Sequence, residues 1–393
     1  KHAALVTIVL GLLPLAETSG QQVYSIDDAH SDLTFLRDQM LTYQPNLEAE
    51  NPEFRKNANA LIESLTVPVD AFELFTLVSK LAAYGNENHY GLGNWEDDVH
   101  KGFLEGQFLY FPVGVSVLDN GLFIVRAFEN EGVLRPGMEI LSINGLGVEE
   151  VLTTLYDCIP SDGNIRSFQQ RTLDVSFPWM YYLYVERPES FRLEVKETDG
   201  NVVFHTISAL TRDQMFQNVE KQQTSNESED EPATGIEQVY SFEVHDQYAL
   251  LTFRSFRRQL VEEFKVKSSK LYKDIFQELK ENQVEVLVVD VRDNSGGLND
   301  FSDDILPYIV PEGAQGLFKT SHSWEGKTRT YKIPDRDKWA FEGDIYALVN
   351  GRTYSAASTL VRNLKEFTDA VVIGEETGTR YEGFAAGSSQ YVT

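Results

Sequence analysis

The sequence has one cysteine, Cys158, in 393 residues. That excludes an internal disulfide and zinc sites built on CxxC pairs. Positive charge is also scarce. Lys and Arg number 34 against 61 Asp and Glu, which gives a net charge of −27 at pH 7. This balance excludes nucleic acid and an anionic membrane surface as electrostatic partners. Long apolar runs are missing as well. The most apolar stretch, Ala3 to Ala16 in "KHAALVTIVLGLLPLAETSG", is shorter than the about 20 residues needed to cross a bilayer. No internal repeat is present.

What remains is ordinary globular material, 42% hydrophobic and 24% charged. The length predicts two or three domains. A basic start, a short apolar core and a small-residue exit make residues 1–20 a secretory signal peptide, so the protein is expected to be secreted or periplasmic. No cysteine sits near its exit, which argues against a lipid anchor. The chain begins without Met and stops at "SSQYVT" without a closing element, so a fragment at both ends is expected.

Residues 21–102 read as a helical region. In "DAFELFTLVSKLAAYG", Leu74, Leu77, Val78 and Leu81 fall on one helical face, with Asp70 as N-cap and Gly85 as stop. The loop "GNENHYGLG" follows and holds His89. Residues 103–210 read as strands, with hairpin signals at Asn120-Gly121, Asn144-Gly145 and Asp199-Gly200. The aromatic segment "FPWMYYLY", Phe177 to Tyr184, reads as core or subunit contact. Residues 211–235 are polar, acidic and short of apolar anchors, as a linker is. From residue 236 to 393 strands and helices alternate. A strand "YALLTFRSF" precedes a helical stretch, Arg258 to Glu281. Then come a buried strand, Val284 to Val291, a helix, "IYALV", a helix from Ala356, and "AVVIG". This predicts an α/β core with a largely parallel sheet.

Two turns of that core carry candidate chemistry. "VVDVRDNSGG" ends in Gly296 and Gly297, where the backbone can approach a ligand closely and point N–H groups outward. "ALVNGRTYSAASTL" places Ser355 between a strand and a helix N-terminus, a setting that stabilises an oxyanion. Taken singly, a serine in that place is more often an N-cap, and an "SGG" turn more often only a turn.

Together the motifs resemble a known family. "VLVVDVRDNSGG", "ALVNGRTYSAAS" and "VVIGEETG", in that order and spacing, resemble the core of the tail-specific, or C-terminal processing, serine peptidases, to which the tricorn core protease is related. "FIVRAFENEGVLRPGMEILSINGLGV" is similar to the PDZ domain these enzymes carry. The resemblance covers residues 85 to 390. It implies a ClpP/crotonase-like catalytic core beside an N-terminal helical region and a PDZ-like β domain. It implies Ser355 as nucleophile rather than Ser358, with an oxyanion hole from the N–H of Ala356 and that of Gly296 or Gly297.

In the tail-specific branch the base is a lysine. Arg380 stands in its place here, and arginine stays protonated. It is expected instead to hold a carboxylate of substrate or neighbour. The tricorn-like branch uses a histidine from a loop before the PDZ region, which matches His89. Its supporting acid lies downstream and is expected beyond Thr393; Glu375 and Glu376 are near but unassigned.

The implied function is a serine endopeptidase acting on exported or envelope polypeptides. No metal or organic cofactor is implied. The PDZ-like domain is expected to bind an extended polypeptide, including a free C-terminus, by strand addition. Two other readings stay open: a non-catalytic peptide-binding or scaffold homologue, and a carrier of a lipophilic ligand.

Overall fold

The computed structural model describes residues 7–10, 23–44, 46–92, 108–217, 233–322, 327–380 and 390–392. The segment expected to be a leader lies mostly outside this set, as does most of the expected linker. The chain divides into two compact units, one of residues 1–164, 169–229 and 384–393, the other of residues 165–168 and 230–383.

In the first unit three helices, Ile26–Tyr43, Phe54–Ser64 and Ala71–Ala83, form the expected helical region. Asp70 caps the third. Its carboxylate accepts the N–H groups of Phe72 and Glu73, and Glu73 returns a bond to the Asp70 N–H, a complete capping box. The apolar faces meet in one core of Leu33, Leu36, Met40, Phe54, Leu74, Val78 and Leu81.

The same unit holds an antiparallel sheet whose main path runs Val202–Ser208, Ser190–Lys196, Glu139–Ile143, Gly121–Arg126, Gly114–Leu118. Two hairpins have the two-residue turns that positive φ permits, Asp119-Asn120 and Asn144-Gly145. Two helices, Val148–Tyr156 and Arg166–Tyr184, stand where strands were expected. The aromatic segment lies in the second of them. Phe177 and Tyr181 pack on Phe111 at ring distances of 5.3 and 5.6 Å, so these rings are spent on core packing.

The outer edge of Gly114–Leu118 is occupied by the chain's own helix. Val117 N–H donates to Asp174 Oδ1 at 2.9 Å, and Arg171 donates to the Val117 carbonyl. Arg171 and Asp174 are themselves paired at 2.6 Å. Carboxylate and guanidinium thus take the places that the C=O and N–H of an added strand would take.

Cys158 is buried in this unit, and burial pushes its thiol up to about 12. The native chain should therefore resist thiol reagents and react only after denaturation. Rapid labelling of the native chain would contradict the packing.

The second unit is built on a five-stranded sheet. The hairpin Tyr240–Val244/Ala249–Phe253 is antiparallel. Val286–Asp290, Asp344–Val349 and Val371–Gly374 then add in parallel. The largely parallel α/β core is as expected. The helical stretch 258–281 is broken, however, into Arg258–Glu263 and Ser268–Glu281. Lys265 takes φ 54°, and Val266 N–H reaches back to the Val261 carbonyl at 2.9 Å, a Schellman closure without glycine. The second helix buries Leu271, Tyr272, Ile275, Phe276 and Leu279 along one stripe against the sheet.

Candidate active site

The strand Asp344–Val349 ends at Asn350-Gly351, and the helix Ala356–Phe367 follows with Ser355 in the N-cap position. The turn between them is held from three sides. Asn350 N–H donates to Thr353 Oγ1 at 3.1 Å, and that hydroxyl donates to the Val291 carbonyl at 2.9 Å. Gly351 N–H donates to Glu375 Oε2 at 3.3 Å. Ser355 N–H donates to Thr379 Oγ1 at 2.6 Å.

Ser355 is the N-cap residue by position only. Its φ is 54° and ψ −123°, and its side chain makes no capping bond to the helix. A non-glycine residue pays in backbone strain for that conformation, so it persists only where the surroundings impose it. Ser358, one turn on, is different. It is buried, and its hydroxyl donates to the Thr353 carbonyl at 2.8 Å. Ser358→Ala should cost about 1 kcal/mol of stability and leave the chemistry intact. A loss of activity as large as that of Ser355→Ala would contradict this placement.

The glycine loop lies directly against the Ser355 turn. A Cβ on Gly296 would stand 2.6 Å from the Tyr354 carbonyl, 2.7 Å from Ser355 Cβ and 2.8 Å from Ala356 N. Only a residue without a side chain fits there. Asn294 ties the two segments together. It is 0% exposed; its Oδ1 accepts Gly296 N–H at 2.9 Å, its Nδ2 donates to the Phe253 carbonyl at 3.0 Å, and its carbonyl accepts Tyr354 N–H at 3.0 Å. Gly296 N–H is thus taken by Asn294 in this structure. Among the described residues, no hydrogen-bond partner is found for the N–H of Gly297 or of Ala356. Ala356 follows Ser355 in sequence, and Gly297 follows Gly296 and packs on the backbone of Phe256. Two such N–H groups are what a tetrahedral oxyanion needs.

Arg380 is half-buried and follows directly on Thr379, the residue that receives Ser355 N–H. His89 belongs to the first unit and Ser355 to the second. In its own unit His89 is part of a compact cluster. Its Nδ1 lies 2.7 Å from Glu87 Oε1. Asp162 Oδ1 accepts Asn88 N–H at 2.8 Å, and Gly163 N–H donates to the Asn86 carbonyl at 3.0 Å. Burial drives the Tyr90 hydroxyl pKa far up, and that hydroxyl bonds to Gln44. One ligand atom each from Glu87, His89 and Asp162 lie within 4.8 Å of one another, so a single cation could be held there. The 2.7 Å separation of Nδ1 and Oε1 fits a shared proton better. Two donors on one tetrahedral zinc, each at about 2.0–2.2 Å, stand further apart than that.

Asn294, Thr353, Glu87 and Asp162 were not singled out by sequence. The Glu-x-His spacing at 87–89 was the available signal for one of them.

Residues 247–382 match the model of peptidase family S41. The structure of mature CPAF complexed with lactacystin is similar at TM-score 0.59 and 15% identity, over 90% of this chain and 85% of that one. Mature CPAF is similar at TM-score 0.60 and 14% identity, over 90% and 84%. At such identities the likeness is one of fold. No curated protein matches the chain. The matched stretch contains the Gly296-Gly297 loop, the Ser355 turn and the strand Val371–Gly374, so residues 247–382 are similar to peptidase family S41.

Proposed function

We propose that the protein is a serine endopeptidase of exported or envelope polypeptides, with Ser355 as nucleophile and His89 as general base. The observation that carries this is the backbone of Ser355. A serine held at φ 54° at a helix start, without capping that helix, matches the strained strand-to-helix turn that presents a nucleophile. In the reaction, Ser355 Oγ attacks the scissile carbonyl as His89 takes its proton. The N–H groups of Ala356 and Gly297 receive the negative oxygen. The imidazolium then protonates the departing amine, and water completes the cycle through the same base. The core is read as ClpP/crotonase-like and the antiparallel sheet as PDZ-like. Cytosolic accumulation of the full-length precursor would contradict the exported setting.

The test is labelling of the full chain with a fluorophosphonate, followed by peptide mapping. The adduct is expected on the peptide that contains Ser355. An unlabelled but folded chain would support the scaffold reading, and an adduct elsewhere would overturn the assignment.

Strand addition of a substrate C-terminus to Gly114–Leu118 has to displace the Arg171–Asp174 pair from Val117. A labelled C-terminal peptide should therefore bind weakly. The Arg171→Ala/Asp174→Ala double variant should bind it more tightly in fluorescence anisotropy. Equal affinity for the two proteins would place peptide capture elsewhere.

A further inference from the structure

We infer that Glu87 is the carboxylate that positions His89. The inference rests on the reading of His89 as base and adds the group that makes it one. Three observations carry it. The first is the contact. Glu87 Oε1 lies 2.7 Å from His89 Nδ1 and also accepts the His89 backbone N–H at 3.3 Å. One oxygen therefore fixes both the ring and its own stretch of chain.

The second is burial. Glu87 is 1% exposed, and its partner ring keeps 13% of its side chain open. A carboxylate so placed is costly to bury without strong donors, and the imidazole N–H is one. The third is rigidity. Asn86 takes φ 48°, and its carbonyl is held by Gly163 N–H. Asn88 N–H is held by Asp162, itself 0% exposed, and Tyr90 N–H closes on the Glu87 carbonyl at 3.2 Å. Glu87 cannot turn away without breaking this loop.

The chemical consequence concerns the tautomer. An ionised Glu87 accepts from Nδ1–H, so the proton of neutral His89 sits on Nδ1 and the lone pair on Nε2. When Nε2 takes the serine proton, the ring becomes an imidazolium beside a carboxylate, which stabilises it. The carboxylate itself is not protonated. The carboxylate on Nδ1 thus comes from the histidine's own loop, two residues before it.

The experiment compares Glu87→Gln, Glu87→Asp, His89→Ala and Glu87→Gln/His89→Ala in the full chain. The expected result for Glu87→Gln is a fall in kcat of about 10²–10⁴-fold with KM nearly unchanged, the pattern of a wrong or unsupported tautomer. Glu87→Asp should recover part of the loss. The double variant should be no worse than His89→Ala, because the two groups act as one unit. Independently of turnover, the ring-nitrogen ¹⁵N shifts of His89 should report Nδ1–H in the native chain and lose that preference in Glu87→Gln. If Glu87→Gln keeps near-normal kcat while His89→Ala is inactive, the inference fails and the base assignment stands. If His89→Ala is itself near normal, the base assignment fails. A native ring protonated on Nε2 instead would also overturn the inference.

Discussion

Ser355→Ala is expected to lower turnover by at least ~10³-fold, and by up to roughly 10⁶-fold, with almost no loss of stability. The two halves of that expectation have different origins. The hydroxyl makes no capping bond, so its removal forfeits none of the ~1 kcal/mol that an N-cap serine normally supplies. The turn is held by other groups, among them Thr379, Thr353 and Asn294, and keeps its shape. Turnover with a defined peptide and denaturant unfolding of the same preparation separate these effects. A variant that unfolds early while retaining activity would show a capping serine and no nucleophile.

The second large effect is expected at Gly296. The atoms a Cβ would meet are the Tyr354 carbonyl, Ser355 Cβ and Ala356 N, at 2.6 to 2.8 Å. All are main chain or Cβ, so no flexible side chain can give way. Gly296→Ala must push the Ser355 turn away from the loop. A displacement of about 1 Å at a reacting group can cost on the order of 10²-fold in rate. The φ of 82° adds strain for any residue with a Cβ. Gly145→Ala provides the control. Its φ is 88°, but a Cβ there meets nothing within 4 Å. It should show the strain alone, about 1 kcal/mol of stability, with normal activity. Equal activity in the two variants, measured under conditions where both are folded, would show that the loop and the turn are not coupled in the reaction.

Much of this was legible because it depends on local chemistry. Asp70 with Glu73 three residues later is a capping box in any context. The Asn-Gly pair at 144–145 and the Asp-Asn-Gly run at 119–121 mark two-residue turns, since those residues tolerate positive φ. The run Val284 to Val291 read as a buried parallel strand because it lacks alternation, and Val286–Asp290 occupies that place.

The unread parts depend on atoms far apart in sequence or on residues in unaccustomed conformations. The break after Glu263 was hidden because lysine, not glycine, takes the left-handed position at 265. The helix Arg166–Tyr184 was hidden by Pro178 and by a density of aromatics that resembles strand composition. Asn294 looks like any turn asparagine. Its importance comes from bonds that join residues 253, 296 and 354. Glu87 was visible at the right spacing, but only the loop conformation brings its carboxylate onto the ring.

Ser355 is expected to become covalently acylated during turnover. The most direct measurement is rapid mixing of the full chain with an activated ester or peptide anilide. It would be followed by acid quench, intact mass and peptide mapping. The expected result is a burst of leaving group approaching one per chain, and an acyl mass on the peptide that contains Ser355. Hydrolysis that proceeds with no burst in Ser355→Ala and wild type alike, or an acyl group mapped to any other residue, would contradict it.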